Sequence, residues 1–215
     1  MLAQRYRNGS EAPDMKVDPP SPIRHLGVIG DVHARAESLE TAANALSARG
    51  VDAIACVGDI YGPATGTAQC CRLLKERRIL TVRGNHDRWF LEAARQDSSL
   101  NASVDLEAVR FLSDLPVTLE IDTVAGPALL CHGIGTNDLA HLPQTFPSAF
   151  VRRSVRLGLI SPRHKLVIHG HSHDFRQRTC EGILFVAIGT LQSHSQGGCV
   201  VIDAGTGIVS QVEYR

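Results

Sequence analysis

No sign of charge predominates in this chain. Lys+Arg and Asp+Glu each number 22 in 215 residues, so nothing points to general nucleic-acid binding, and there is no acidic tail. No apolar run approaches the 18 residues a membrane span needs, which argues against a membrane partner. The first residues, Met1 to Arg7, lack the apolar core of a secretion signal, so the expected location is the cytoplasm. No Cys-x-x-Cys pair occurs. The six cysteines (Cys56, Cys70, Cys71, Cys131, Cys180, Cys199) fall mostly in apolar runs, as reduced, buried thiols do. Adjacent Cys70 and Cys71 on a helix point different ways, so a structural role is expected. Aromatics are few, with one Trp and three Tyr. Against that scarcity stand ten histidines, and their placement decides what they do.

Hydrophobic residues make up 43% of the chain and charged residues 20%, enough apolar material for one large domain. Residues 1–22 are polar and carry Pro13, Pro19, Pro20 and Pro22, which reads as a loose arm before a single domain over 23–215. Leu26 to Ile29, Asp52 to Val57 and Ile79 to Val82 read as strands. Helical spacing over Arg35–Arg49 and Thr67–Arg77 lies between them. This alternation predicts parallel strands joined by right-handed crossovers. A helical stretch starting near Trp89 runs to about Leu115, with a polar break at Asp97 to Ser103. Beyond it, Val117–Asp122 and Ala128–Cys131 form a plausible hairpin. A basic helix over Ser148–Leu157 and a strand at Leu166–Ile168 follow. Four short strands close the chain, paired through Glu181-Gly182 and Ala204 to Gly207.

Five apolar strands each end in a polar cluster: Asp31-x-His33, Gly58-Asp59, Gly84-Asn85-His86-Asp87, His132-Gly133 and Gly170-His171-x-His173. In open α/β sheets the carboxyl ends of strands face one crevice, so clusters distant in sequence meet there. Asp, His and Asn are ligands suited to Mn, Fe or Zn. Asp31, His33, Asp59, Asn85, His132, His171 and His173 are too many for one four-coordinate ion, and they fit two ions sharing a carboxylate. Asp59, alone at its strand end, suits the bridge. Two ions roughly 3.5–4 Å apart can clamp both oxygens of a phosphoryl displacement. Taken singly each block has a plainer reading: a capped helix start for Asp31 and His33, an Asn-bearing turn for Gly84 to Asp87, satisfied histidines for His132, His171 and His173.

Together the five blocks, in this order, resemble the calcineurin-like metallophosphoesterase superfamily over about Val28 to Gly189. The resemblance implies an α/β/β/α sandwich, a four-layer α/β fold with a dinuclear metal site at the carboxyl ends of the strands. By block, Asp31, His33, Asp59 and His173 would hold one divalent ion. Asp59, Asn85, His132 and His171 would hold the other, with manganese favoured. His86 matches the proton donor to the leaving group and Asp87 its orienting partner, and metal-bound hydroxide would be the nucleophile. The expected partner is a small phosphorylated substrate, a phosphodiester or nucleotide. A phosphomonoesterase or protein phosphatase is the alternative, and a non-catalytic scaffold of the same fold is the rival outside enzymes.

The sequence also departs from the family pattern. Ala34 stands where many members carry Gly. Ile60-Tyr61-Gly62-Pro63 replaces the arginine-bearing block of the protein phosphatases. The short span from His86 to His132 leaves little room for a nuclease cap. The resemblance is nearest to the small phosphodiesterase and dinucleotide-polyphosphate hydrolase branch. His169 reads as buried behind the site. His194 has two readings, a substrate contact or a surface residue. His25, His141 and His164 read as surface residues. Arg152, Arg153 and Arg156, with Arg163 and Lys165, read as a solvated face, or else a rim that steers polyanions. Arg83 could meet phosphate or a carboxylate.

Overall fold

The computed structural model describes residues 22–96, 106–142, 148–193 and 197–214. The N-terminal arm up to residue 21, the polar break at Asp97 to Ser103, and His194 lie outside them. In chain order the elements begin with β1 (His25–Ile29), α1 (Ala36–Ala48), β2 (Ala53–Cys56), α2 (Thr67–Glu76), β3 (Leu80–Thr81) and α3 (Asn85–Gln96). They continue with α4 (Leu106–Asp114), β4 (Thr118–Thr123), β5 (Gly126–Cys131), α5 (Ser148–Arg156) and β6 (Leu166–His169). Strands β7 (Arg176–Cys180), β8 (Ile183–Ala187), β9 (Cys199–Asp203) and β10 (Ile208–Gln211) complete the chain.

Two five-stranded sheets result, ordered β10-β9-β1-β2-β3 and β4-β5-β6-β8-β7. The parallel strands the sequence predicted, β1, β2 and β3, form the heart of the first sheet, and a second parallel set, β5, β6 and β8, forms the heart of the other. Antiparallel β9 flanks β1, and β4 and β7 flank the second set. Both predicted terminal hairpins are present, as is the one joining β4 and β5.

Side-chain alternation along the strands builds the layers. Leu26 and Val28 of β1 join Ala128 and Leu130 of β5, Ile168 and Val186 between the two sheets. Ile29 and Cys56 face the other way, onto Leu39 and Leu46 of α1 and Leu74 of α2. Leu129 and Cys131 face away from the first sheet, onto Val151 of α5 and onto Ile160, Val167 and Phe185. Helices, sheet, sheet, helix: this is the four-layer sandwich. Fully buried Leu39 and Leu46 each contribute about 1.5–3 kcal/mol of transfer free energy.

Two boundaries differ from expectation. Strand β3 is only two residues long, because past Val82 the chain leaves the ladder and the Arg83 N–H donates to the Pro116 carbonyl. Helix α3 begins at Asn85 rather than near Trp89, because the Arg88 N–H already bonds the Gly84 carbonyl. The tetrapeptide is therefore mostly the first turn of a helix.

Candidate metal centre

The carboxyl ends of β1, β2, β3, β5 and β6 converge where the two sheets meet. Hydrogen bonds cross between the sheets there. The His132 Nδ1–H donates to the Val57 carbonyl at 2.8 Å, and the His171 N–H donates to Asp31 Oδ2 at 3.0 Å. Asp31 and Asp59 are 0% and 1% exposed. Asp31 is fixed from behind: its carbonyl accepts from the Leu191 N–H at 2.9 Å and the Thr190 hydroxyl at 3.0 Å. Two glycines let carboxylates approach this closely. A Cβ on Gly84 would fall on Asp59 Oδ1, and one on Gly170 would fall on Asp31 Oδ1.

All seven predicted ligands come together. Asp31, His33, Asp59 and His173 can each offer one atom, and these atoms all lie within 4.8 Å of one another. His33 Nε2 and His173 Nε2 are 3.0 Å apart, and His173 Nε2 is 3.2 Å from Asp31 Oδ2. Beside this group, Asn85 Oδ1 is 2.9 Å from both His132 Nε2 and His171 Nδ1, and His132 Nε2 is 3.4 Å from Asp59 Oδ2. Asp59 thus touches both groups.

The electrostatics fit cations. Among the described residues, Asp31 and Asp59 have ion-pair contacts with histidines only. Burial alone would lower the His132 pKa, but the Asp31 and Asp59 carboxylates outweigh it and push it up to about 9. A hydrogen bond to Asp31 likewise raises His173. Burial lowers His33 against the pull of Asp59 and Asp31, and lowers His171, which also lies beside His132. Asp59 is depressed: its burial is overcome by the His132 hydrogen bond and charge and by the His86 N–H. Protons here occupy positions from which a divalent ion would displace them.

Backbone strain marks the same residues. Among the described non-glycine residues, positive φ occurs at His33 (47°), Ala34 (60°), Asp59 (49°), His171 (67°) and His173 (58°), and elsewhere only at Arg78 and Glu181. Four of the seven proposed ligands are wound left-handed, the kind of strain that gathers at functional sites.

The two proposed catalytic residues part company. The His86 ring, half-buried, lies edge-on to His33 with centroids 4.9 Å apart, beside the ligands without belonging to them. Its backbone N–H donates to Asp59 Oδ1 at 2.9 Å. Asp87 does not serve as its orienting partner. The Asp87 carboxylate accepts from the Gly84 N–H at 2.9 Å and the Tyr61 N–H at 2.7 Å. It closes the start of α3 like the acidic half of a capping box and ties it to the loop after β2. Burial, with Asp59 nearby, pushes its pKa up to about 7.

Other histidines and arginines fall into place. His169 is fully buried, and burial brings it down to about 4. His164 is not a surface residue: it is 5% exposed, with Nε2 3.1 Å from Glu120 Oε2 and Nδ1 accepting from the Ser161 N–H. His25 is exposed, as expected. His141 is exposed too, but its ring lies 6.2 Å from that of His171, at the edge of the site. Trp89, 5.2 Å from His86, is a second neighbour that the sequence reading passed over. Arg152 pairs with Glu181 at the turn before β8, and Arg163 with Glu120. Glu181 and Arg163 precede the amino ends of β8 and β6, opposite the site, so these two arginines form no rim around it. The thiols of Cys70, Cys131 and Cys199 are pushed up to about 12 by burial, those of Cys56 and Cys71 are also raised, and all six cysteines are unpaired. No described helix is long and apolar enough to cross a membrane.

The profile of the calcineurin-like phosphoesterase superfamily domain matches residues 25–207. A curated protein of Methanocaldococcus jannaschii, itself uncharacterised, is 29% identical over 117 residues, which are 50% of this chain and 48% of that one. The chain thus spans about half the length of the curated relative it matches. Among solved structures, a metallophosphoesterase from Sphaerobacter thermophilus superposes with a TM-score of 0.63 at 20% identity, over 90% of this chain and 89% of that one. A provisionally assigned diadenosine tetraphosphatase superposes with a TM-score of 0.60 at 20% identity, over 89% and 94%. At these identities the two structures speak to the fold alone.

Proposed function

Because the chain belongs to the calcineurin-like phosphoesterase superfamily, we propose that it hydrolyses phosphoester bonds of a phosphodiester or nucleotide-type substrate, using a pair of divalent cations. Asp31, His33, Asp59 and His173 would hold one cation. Asp59, Asn85, His132 and His171 would hold the other. When bound, the pair supplies positive charge for the phosphate oxygens and an activated water as nucleophile. The observation that carries this reading is a pair of almost fully buried carboxylates whose charged partners, among the described residues, are only histidines.

The chain's own residues do the rest. Thr190 and Leu191 lock Asp31 through its carbonyl, and the Val57 carbonyl sets the His132 tautomer so that Nε2 faces Asn85 and Asp59. The start of α3 turns its positive end toward the site, which favours an anionic substrate. Asp87 caps that turn and so fixes where His86 stands. His86, free of ligand duty, gives a proton to the departing oxygen.

Titration of the purified protein with Mn²⁺ tests the reading, together with turnover of a chromogenic phosphodiester and monoester. Two cations bound and turnover of the diester are expected. Asp59→Ala, which removes the shared carboxylate, should lose both. Absence of binding and turnover across Mn²⁺, Zn²⁺, Fe²⁺ and Mg²⁺ would overturn the proposal.

A further inference from the structure

The chain has one tryptophan, and it is placed where aromatic surface is costly to leave open. Trp89 is 45% exposed, while its neighbours on α3, Phe90, Leu91 and Ala94, are buried. Its ring centroid lies 5.2 Å from that of His86, with the planes tilted by 54°. His86 in turn stands edge-on to His33. The indole is therefore one ring removed from a proposed ligand.

The indole is also held. The Arg88 guanidinium carbon lies 5.8 Å from the indole centroid. Arg88 is itself clamped: Nε to Asp138 Oδ2 at 2.7 Å, Nη2 to Asp138 Oδ1 at 3.2 Å, and Nη1 to Glu92 at 3.1 Å. A solvent-exposed Trp on an ordinary helix face carries no meaning by itself. One braced by a clamped arginine beside a proton donor offers a fixed, flat, partly open surface.

The reaction places the leaving group against that surface. In the hydrolysis, water oxygen bonds to phosphorus and sheds a proton to solvent. The bond from phosphorus to the leaving oxygen breaks, and that oxygen takes the His86 proton. Whatever the oxygen is attached to then lies next to His86, whose other ring neighbour is the indole. Any nucleobase can stack there, because every base has a π-face.

We propose that Trp89 is the stacking platform for the leaving group, and that the preferred substrates are phosphoesters of nucleosides rather than of aliphatic alcohols. This rests on the reading of His86 as proton donor. Trp89 is then the specificity residue of the site, and its effect falls on recognition rather than on chemistry.

Two measurements test it. In the first, the intrinsic fluorescence of the single tryptophan is followed during titration with adenosine monophosphate or ribose 5-phosphate, without added cation and again with Mg²⁺. Saturable quenching by the nucleotide alone is expected; equal or absent quenching overturns the platform. In the second, KM is compared for the methyl phosphodiesters of adenosine 5′-phosphate and ribose 5-phosphate. Wild type should favour the adenosine ester by about 10- to 100-fold, the range of single base–aromatic stacks. In Trp89→Ala the two KM values should converge, and Trp89→Phe should restore much of the gap. An unchanged ratio in Trp89→Ala refutes the proposal. If wild type hydrolyses neither ester while the nucleotide still quenches, the hydrolytic reading fails, the leaving-group role fails with it, and Trp89 is left as a nucleotide-binding surface.

Discussion

Replacing Gly170 with Ala tests whether the site is as tightly built as its geometry implies. The new methyl would fall on Asp31 Oδ1 and come within 2.6 Å of Val57 Cγ2. Asp31 has nowhere to retreat. It is 0% exposed, its carbonyl is held by Leu191 and Thr190, and its carboxylate is bonded to the His171 N–H. Overpacking of this kind costs about 1–3 kcal/mol. For a chain of this size each kcal/mol lowers Tm by about 2–4 °C, so a fall of about 2–12 °C is expected in chelator. The larger effect is on the cation. Shifting a carboxylate proposed to ligate should weaken Mn²⁺ binding by about 10–100-fold, as disturbing the support of a ligand does. Gly182→Ala is the control. Gly182 is left-handed, with φ of 74°, and a Cβ there meets nothing within 4 Å. It should cost stability without touching cation affinity. Thermal melts with and without chelator, and calorimetric titration with Mn²⁺, read both effects. If Gly170→Ala melts within a degree of wild type and binds Mn²⁺ equally well, Gly170 does not set the position of Asp31.

Two other predictions concern residues of different duty. His86→Ala should keep wild-type cation binding and lose about 10²–10⁴ in kcat, with a smaller loss for an activated leaving group that needs no proton; steady-state kinetics on a graded ester series would show it. Asp52 accepts the Arg24 and His25 N–H groups, each at 2.8 Å, and the His25 bond followed by the Arg24 bond holds its carboxyl below the usual 3.8. A depressed carboxyl stabilises the fold above 3.8 and loses that contribution as pH falls through the folded-state pKa. The stability gap between wild type and Asp52→Asn in urea melts should therefore be full near neutrality and close in acid.

The convergence of the seven proposed ligands was legible because each sits directly after an apolar strand, and parallel strands deliver their carboxyl ends to one place. What each neighbour does was less so. Asp87 looked like a partner for the adjacent imidazole, but the helix begins four residues earlier than its apolar pattern indicated. In that first turn a carboxylate meets backbone N–H groups instead. His164 sits among Ser161, Pro162 and Arg163, a polar stretch that reads as surface. Its partner there is Glu120, which a β-hairpin distant in sequence brings alongside. His141 follows His132 by a loop whose return, pinned by backbone hydrogen bonds between Ile134 and Asn137, carries no periodic signal. Trp89 is outward-facing on its helix, and only the position of His86 gives that exposure a meaning.

The left-handed turns at His33, Asp59, His171 and His173 also bear on the order of events. An unfolded L-residue visits that region seldom, and each such turn costs of order 1–3 kcal/mol unless its surroundings enforce it. Free cations therefore have little to gather from the unfolded chain. The β-strands would then dock first, and ions would enter a cage already formed. In kinetic terms, divalent ions that bind there are expected to leave the refolding rate of this chain nearly unchanged and to slow its unfolding, because their contacts would arise after the folding barrier has been crossed.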